Sequence, residues 1–316
     1  MSAEDIAVIG AGSYGTCLAV LFGNHGHRVC LYNRNAEAAR QMQESRENQA
    51  YLPGYKLPAS VTPSTNREVL GTAAQWMDPD AIVINASKGL EEGTLHTIDA
   101  VYRDILPERI AARATYLSGP TFASELAAGM PAAIVLAGRD QESLVAAQGA
   151  LNRLNFRIYA TDDVPGVLLG GALKNVIAIG AGISDGFGFG SNTRVMLITR
   201  GLAEITRLGV MLGAHPQTFA GLSGMGDLVL TCSGDSSRNR RVGLALGQGK
   251  AMADILADMK QVAEGVKTAK VAKELSAKVG CDTPLIDGMY RIIHEGVPVR
   301  DAMTMLLSRK PRMERD

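Results

Sequence analysis

Short apolar runs alternate with amphipathic segments along the first half of the chain. The apolar runs predict strands at residues 4–9, 28–32, 81–86, 114–118 and 132–137. The segments between them predict helices at residues 14–25, 35–46, 94–104, 121–128 and 140–154. Because strands that alternate with helices form a parallel sheet covered on both faces, this half is expected to be an α/β domain.

The pattern changes near residue 165, where the strand signals stop. From Gly166 to the end, apolar positions recur at helical spacing, with glycine and proline at the breaks between helices. We therefore predict an α/β domain at residues 1–165 and an all-helical domain at residues 166–316.

A glycine-rich loop separates the first predicted strand from the first predicted helix. Its sequence, Gly10-Ala11-Gly12-Ser13-Tyr14-Gly15, matches the GxGxxG fingerprint of dinucleotide binding in the strand–loop–helix context that the fingerprint requires. Gly10 permits a tight turn, Gly12 lets the backbone approach a pyrophosphate, and Gly15 lets the helix pack closely on the strand. The helix N-terminus adds free N–H groups and a positive dipole end. The predicted fold of the N-terminal domain is therefore a Rossmann doubly wound parallel sheet.

The end of the second strand bears on which nicotinamide cofactor is bound. An acid usually binds the ribose 2′-hydroxyl of NAD there, but this strand ends Leu31-Tyr32-Asn33-Arg34. Because an arginine pairs with a 2′-phosphate that an acid would repel, we expect NADPH to be accepted. The alternative is that Arg34 is a solvated loop arginine.

Composition narrows the classes of ligand and the cellular setting. With 32 basic and 32 acidic residues, the formal net charge is +0, which argues against binding to nucleic acid or a membrane surface. The four cysteines form no CxxC pair and the five histidines show no metal-ligand spacing, so we expect a reducing, cytoplasmic setting and no metal. The chain enters a strand almost at once, so neither a signal peptide nor membrane insertion is expected.

Two lysines occupy places that favour chemistry. Lys88 follows the predicted strand at 81–86, and the carboxyl ends of such strands face the ligand crevice; the alternative is a surface turn. Lys174 lies on a predicted helix among small neighbours, which are Gly170, Gly171, Ala178 and Ala181. Small neighbours leave room for a ligand and remove water from the ammonium group, which favours a role as general acid or base. The alternative for Lys174 is an exposed position on an amphipathic helix.

Further along the chain, three segments offer groups that bind an anion or orient a lysine. Ser118-Gly119-Pro120-Thr121 follows a predicted strand, and Thr121 is placed to cap the next helix; the alternative is a plain turn. Asp227 is placed either to support a catalytic lysine or to form an Asx-turn. Ser237 is placed to cap a helix at whose start Arg238 and free N–H groups would meet a phosphate; the alternative is a solvated basic face.

Six segments occur in order along nearly the whole chain: GAGSYGT, ASKGLE, SGPTFASELAAG, GGALKNVIAIGAGISDG, GMGDLVLTC and SRNRR. Together they resemble the NAD(P)-dependent glycerol-3-phosphate dehydrogenases of the bacterial type. The resemblance implies an oxidoreductase that reduces dihydroxyacetone phosphate to sn-glycerol 3-phosphate for glycerophospholipid synthesis. It also implies NADP(H) or NAD(H) as cofactor and a homodimer as the assembly.

The same resemblance assigns roles to individual residues. Lys174 would be the proton donor in reduction, with Lys88 and Asp227 as its catalytic neighbours. The implied substrate-binding residues are Lys88, Gly119, Thr121, Lys174, Asp227, Ser237, Arg238 and Asn239. Beside the loop glycines, the implied cofactor-binding residues are Ser13, Tyr14, Arg34, Tyr51, Lys88, Ala123, Arg238, Val262 and Glu264.

The pattern of the family breaks between Asn66 and Arg67. A helix and an apolar strand of roughly 20 residues, about one unit of a doubly wound sheet, are expected here and are missing. Either the protein carries a deletion or the printed sequence omits a segment. A missing central strand leaves unpaired backbone, so omission is favoured. An intact mass clearly above 33.4 kDa would show it.

Two other functions compete with this interpretation. One is a two-domain reductase of the hydroxyacid or ketopantoate type, whose substrates call for carboxylate recognition rather than the predicted phosphate site at Ser237 and Arg238. The other is a dinucleotide sensor without catalysis, which would have no need of Lys174 among glycines.

Overall fold

The computed structural model describes residues 3–65, 81–259, 263–311 and 313–314. Contacts divide the chain into two compact units. The first comprises the segments Met1–Ile82, Thr121–Ala133 and Ala146–Ile158, and the second comprises Val83–Pro120, Ile134–Val145 and Tyr159–Asp316. The predicted domain boundary near residue 165 stays a prediction.

Seven described strands form two sheets. In chain order they are β1 (Asp5–Ile9), β2 (Arg28–Tyr32), β3 (Val61–Ser64), β4 (Ile84–Asn85), β5 (Thr115–Ser118), β6 (Ala132–Gly138) and β7 (Phe156–Thr161). One sheet has the order β1-β2-β3, with parallel pairs, and the other has the order β4-β5-β6-β7. In the second sheet β4 and β5 are parallel, whereas β6 runs antiparallel to β5.

All five predicted strands are present, although the one predicted at 81–86 is reduced to β4. The sequence analysis missed β3 and β7. In β3, Val61-Thr-Pro-Ser is short and contains a proline, which is a poor strand signal. In β7 the buried positions alternate with exposed ones, but they follow directly on a helix predicted as far as residue 154.

β1 is an edge strand within the part of the chain that the structure describes, and its Ile9 is 53% exposed. In the doubly wound order 3-2-1-4-5-6, the fourth strand pairs with the first. By that order, the strand that the sequence analysis expects after Asn66 would pair with β1. The break between Asn66 and Arg67 itself lies outside the described residues.

The helices of the first half are α1 (Ser13–Asn24), α2 (Ala36–Ser45), α3 (Ile98–Ile105), α4 (Glu108–Ala111), α5 (Ala123–Ala127) and α6 (Gln141–Leu151). Every described element that follows is helical: α7 (Val164–Gly186), α8 (Ser191–Met211), α9 (Pro216–Ala220), a π-helical turn (Leu222–Gly226), α10 (Asp227–Ser233), α11 (Arg238–Gly247), α12 (Met252–Ala257), α13 (Glu264–Val279), α14 (Pro284–His294) and α15 (Val299–Leu307). This agrees with the end of the strand signals near residue 165.

The central element of the helical part is α7. Asp163 caps its N-terminus by accepting a hydrogen bond from Gly166 N at 3.0 Å, and Pro165 occupies the first turn. The helix is 23 residues long and contains an 18-residue window with a mean hydropathy of 1.6, which by length and composition alone would allow it to cross a membrane. The apolar window is wholly buried inside the protein, as in the core helix of a globular domain. Helices α8, α10, α11 and α13 all pack on it.

Glycines set the close approach of α11 to α7. A Cβ on Gly243 would lie 1.9 Å from Ile179 O, and a Cβ on Gly182 would lie 2.0 Å from Arg240 O. These neighbours are backbone atoms, so the two helices would have to move apart to accept a methyl group.

We expect Gly243→Ala to lower the free energy of unfolding by about 3 kcal/mol, because overpacking forces a backbone shift. Gly149→Ala is the matched control, since its added Cβ would meet no atom within 4 Å. Urea denaturation of both variants checks this expectation. Equal stability of the two would mean that the helices separate at little cost.

Candidate active site

Two lysines and one aspartate meet in the second compact unit. The Asp227 carboxylate accepts hydrogen bonds from both ammonium groups. Its Oδ1 accepts from Lys174 Nζ, and its Oδ2 accepts from Lys88 Nζ at 2.5 Å. Thr231 Oγ1 accepts a second hydrogen bond from Lys174 Nζ at 2.8 Å and donates to the Asp227 carbonyl at 2.6 Å. The structure thus joins the three residues for which the sequence predicts catalytic roles.

Three separate elements place these side chains. Lys174 lies in the middle of α7, and Lys88 follows β4 at the carboxyl end of the strand. Asp227 is the first residue of α10, directly after the π-helical turn. The fourth residue, Thr231, is one helical turn beyond Asp227 and therefore on the same face. Sequence reasoning missed Thr231, although its i+4 spacing from Asp227 was a usable signal.

The electrostatics of the cluster favour proton transfer near neutral pH. Lys174 is 6% exposed and Asp227 is 1% exposed. Burial, together with the positive charge of Lys88, lowers the pKa of Lys174 to about 7, while Asp227 opposes this shift. At a pKa near 7, much of the lysine is protonated around neutral pH. The protonated form is also acidic enough to donate its proton to an alkoxide. The alternative of an exposed Lys174 is wrong.

The small residues beside Lys174 do not all serve the purpose that the sequence suggested. A Cβ on Gly170 would lie 2.6 Å from Ser223 O, and a Cβ on Gly171 would lie 2.5 Å from Ser118 Oγ. These glycines let neighbouring segments pack against α7 rather than leaving open space. Close packing is what removes water from Lys174.

The segment at Ser237 has the predicted geometry of a helix start. Ser237 is the N-cap of α11, and its Oγ accepts a hydrogen bond from Arg240 N at 3.2 Å. Arg238 donates to Glu264 Oε1 at 3.1 Å, which brings together two residues assigned to the cofactor by resemblance. Asn239 is buried, and its Oδ1 accepts from Gly265 N at 2.9 Å, so this side chain also holds α13 in place.

The neighbouring Arg240 does not contribute to a basic face. Its guanidinium pairs with Asp185 at 2.7 Å and with Asp235 at 2.8 Å. Asp185 in turn accepts from Arg194, so Arg240 belongs to a network of ion pairs beside α7. Arg240 is therefore not a candidate for a phosphate, whereas Arg238 at the helix start remains one.

The structure also locates the turn that contains Gly119 and Thr121. Gly119 has a φ of +148°, a backbone conformation that residues with a side chain rarely adopt. Its carbonyl accepts a hydrogen bond from Lys88 Nζ at 3.5 Å. The expected cap by Thr121 is wrong: α5 begins at Ala123 with Phe122 as its N-cap. Glu125 lies in the first turn of α5, where the helix dipole favours a negative charge.

The glycine-rich loop of the first compact unit has the shape that a pyrophosphate needs. Gly10 has a φ of +109°, and a Cβ on Gly15 would lie 2.0 Å from Gly10 O. Gly12 is exposed and is the N-cap of α1, so the N–H groups of Ser13 and Tyr14 open the helix. A glycine cap provides no side chain to cover these groups, and an anion is their natural partner. The loop therefore fits the phosphates of a nicotinamide dinucleotide.

The other predicted cofactor residues differ in how far the structure places them. Arg34 is exposed just beyond β2, and its guanidinium forms no ion pair with a described residue. Tyr51 is 37% exposed in the turn after α2, and Ala123 opens α5. Val262 lies outside the described residues.

Comparison with known proteins places this site in a family. Residues 163–304 match a family model described as NAD-dependent glycerol-3-phosphate dehydrogenase C-terminus. Residues 5–68 and 61–144 match the model described as the N-terminus of the same enzymes. The chain belongs to the NAD-dependent glycerol-3-phosphate dehydrogenase family.

Full-length relatives lead to the same family. The glycerol-3-phosphate dehydrogenase (NAD(P)+) of Geobacter sp. strain M21 is 47% identical over 332 aligned positions, which cover 99% of this chain and 99% of the relative. The protein of the same name from Geobacter metallireducens is 48% identical over 332 positions, with 99% of each chain covered. The crystal structure of glycerol-3-phosphate dehydrogenase from Coxiella burnetii has a TM-score of 0.88 and 34% identity and covers 97% of this chain and 99% of that one. The expected family, fold class and enzyme class are thereby confirmed.

These alignments also bear on the break after Asn66. They extend over 332 positions, although the chain has 316 residues, so this dehydrogenase lacks positions that its relatives have. The N-terminal family model matches in two pieces that meet at residues 61–68. Both findings agree with a segment missing at the predicted point.

Proposed function

We propose that this protein reduces dihydroxyacetone phosphate to sn-glycerol 3-phosphate, the backbone of glycerophospholipids, with NADPH or NADH as the reductant. The observation that carries the proposal is the pairing of Lys174 and Lys88 with a single buried carboxylate, Asp227. Family membership supplies the substrate and cofactor classes.

The nicotinamide dinucleotide, when bound, supplies the hydride that reduces the carbonyl carbon. Lys174 then donates its proton to the oxygen that gains negative charge, which completes the alcohol. Asp227 and Thr231 hold the Lys174 ammonium in one orientation through the hydrogen bonds that it donates. Lys88 keeps a second positive charge beside the first, and fixed charges of this kind stabilise an alkoxide as it develops.

The phosphate of the substrate is assigned to the start of α11. At this helix start, Ser237 and Asn239 are buried, whereas Arg238 is partly exposed. The N–H groups of the first turn offer hydrogen-bond donors to an anion. An arginine fork and a hydroxyl recognise phosphate oxygens well, and binding at this end would fix the carbonyl for reduction.

The test is the loss of nicotinamide absorbance when the purified protein is mixed with NADPH and dihydroxyacetone phosphate. Dihydroxyacetone, which lacks the phosphate, and ketopantoate are run in parallel. Rapid loss with the phosphorylated ketone alone would support the proposal. Turnover of ketopantoate, or saturable NADPH binding without turnover of any ketone, would favour one of the competing functions.

We further propose that Arg34 binds the 2′-phosphate of NADPH. Arg34→Ala should raise KM for NADPH about tenfold, the loss expected for a charge-assisted hydrogen bond, and leave KM for NADH unchanged. Arg28→Ala is the control, because Arg28 lies at the opposite end of the same strand and pairs with Asp5. Steady-state kinetics with both cofactors decide the matter, and a wild-type preference for NADH would contradict it.

Cytoplasmic location, the absence of membrane insertion and a homodimeric assembly complete the proposal. Burial of the apolar helix α7 supports the absence of membrane insertion, and four free cysteines suit a reducing compartment such as the cytoplasm. Exposed apolar side chains on α8, including Val195 and Met196, support an interface with a second copy. Light scattering from the purified protein would give its mass in solution.

A further inference from the structure

One buried amide is bonded to the glycine-rich loop. Asn48, which follows α2, is 4% exposed. Its Nδ2 donates to the carbonyl oxygen of Ala11 at 2.9 Å and to Thr16 Oγ1 at 2.8 Å. Both N–H groups of the amide are thus used, one on the loop and one on the first turns of α1.

The bond to Ala11 fixes the direction of the next N–H group. In a trans peptide, the C=O of one residue and the N–H of the next lie in one plane and point in opposite directions. Since Asn48 holds the Ala11 oxygen on the buried side, the N–H of Gly12 must point the other way. Gly12 is exposed, and it is the glycine at which the backbone approaches a pyrophosphate.

The second bond secures the loop to the helix. Thr16 is buried, and its backbone N donates to Gly12 O at 2.9 Å. The backbone carbonyl of Asn48 also accepts from Leu52 N at 2.8 Å and from Tyr51 N at 3.3 Å. This turn carries Tyr51, which is a predicted cofactor residue. Asn48 therefore links the loop, the helix start and the Tyr51 turn.

We propose that Asn48 is a positioning residue for the dinucleotide pyrophosphate. It acts through the Ala11–Gly12 peptide and aims a donor at the phosphates without touching them. The inference rests on the proposed function only in that a dinucleotide binds at the glycine-rich loop.

The experiment compares Asn48→Leu with the wild type by direct titration. Asn48→Leu keeps the volume of the side chain and removes both donors. NADPH contains the pyrophosphate, whereas adenosine 2′-monophosphate lacks any 5′-phosphate. We expect Kd for NADPH to rise about tenfold, the effect of leaving a buried acceptor without its donor, and Kd for adenosine 2′-monophosphate to stay the same. KM for dihydroxyacetone phosphate should also be unchanged.

A second pair of variants covers the case in which Asn48→Leu does not fold. Thr16→Val removes the acceptor at nearly constant volume, and Thr16→Ser retains it. Weaker NADPH binding in Thr16→Val and near-normal binding in Thr16→Ser would support the proposal. Unchanged NADPH affinity in a folded Asn48→Leu protein, or equal weakening of both probes, would overturn it.

The result of this binding experiment can be distinguished from the result of the turnover assay that tests the proposed function. Binding is measured without turnover, so a wild-type protein that binds NADPH but reduces no ketone would contradict the proposed reaction alone. A wild-type protein that does not bind NADPH would contradict both.

Discussion

Replacing Lys174 with methionine is expected to lower kcat by about 10²- to 10⁴-fold, the usual contribution of a general acid or base. Methionine fills most of the space of the lysine stem, so α7 should keep its packing. Lys174 is not among the residues assigned to the cofactor, so Kd for NADPH should change little. Steady-state kinetics and a binding titration on the same preparation measure the two quantities.

Lys278→Met provides the control for this variant. Lys278 is exposed in the last turn of α13, so removing its charge should leave kcat at the wild-type value. Near-normal turnover of Lys174→Met would refute the assignment of Lys174 as the proton donor. A loss of NADPH binding as large as the loss of kcat would refute the separation of the two roles.

The second large effect is expected for Asp227→Asn. The neutral amide would leave Lys174, which is buried, and Lys88, which is partly buried, without their shared counterion. Breaking a buried ion pair from one side typically costs about 3–5 kcal/mol, so the free energy of unfolding should fall by that order. A chemical denaturation curve gives this number directly.

The same substitution has a pH signature. Asp227 raises the pKa of Lys174 against burial, and the balance of these effects gives about 7. Reduction uses the protonated lysine, so the wild-type rate should fall as pH rises through about 7. Without the carboxylate, the pKa of Lys174 should drop further, and the fall in rate should move to lower pH. A pH–rate profile that keeps its position in Asp227→Asn would contradict this coupling.

Asp287→Asn is the matched control for both measurements. Asp287, on α14, also pairs with a lysine and an arginine, which are Lys273 and Arg291 rather than the lysines of the candidate active site. Loss of the Asp287 carboxylate should leave the pH–rate profile at its wild-type position.

The parts of the fold that the sequence predicted correctly are those with strong local signals. β1, the glycine-rich loop and α1 follow from an apolar run, three glycines and a small-residue helix. β3 and β7 were missed because their signals are weak or adjoin a helix. The antiparallel direction of β6 has no local signal at all, since strand direction depends on the path of the chain around it.

The candidate active site shows the same limit. Sequence placed Lys174 on a helix and Lys88 after a strand, but the two lie 86 positions apart along the chain. Only the folded chain shows that they share the carboxylate of Asp227. The role of Asn48 was also invisible, because an asparagine in a loop gives no sign of which distant carbonyl it will meet.

The burial of α7 has a consequence for synthesis of the protein. Its 23 residues emerge from the ribosome before the helices α8, α10, α11 and α13 that cover it, because all of these come later in the chain. For that interval a segment as apolar as a membrane span lacks its later helical partners, although its first turns can already pack on β5. The nascent chain should therefore engage factors that hold apolar segments, such as trigger-type chaperones or the signal-recognition machinery, and release them when α11 arrives.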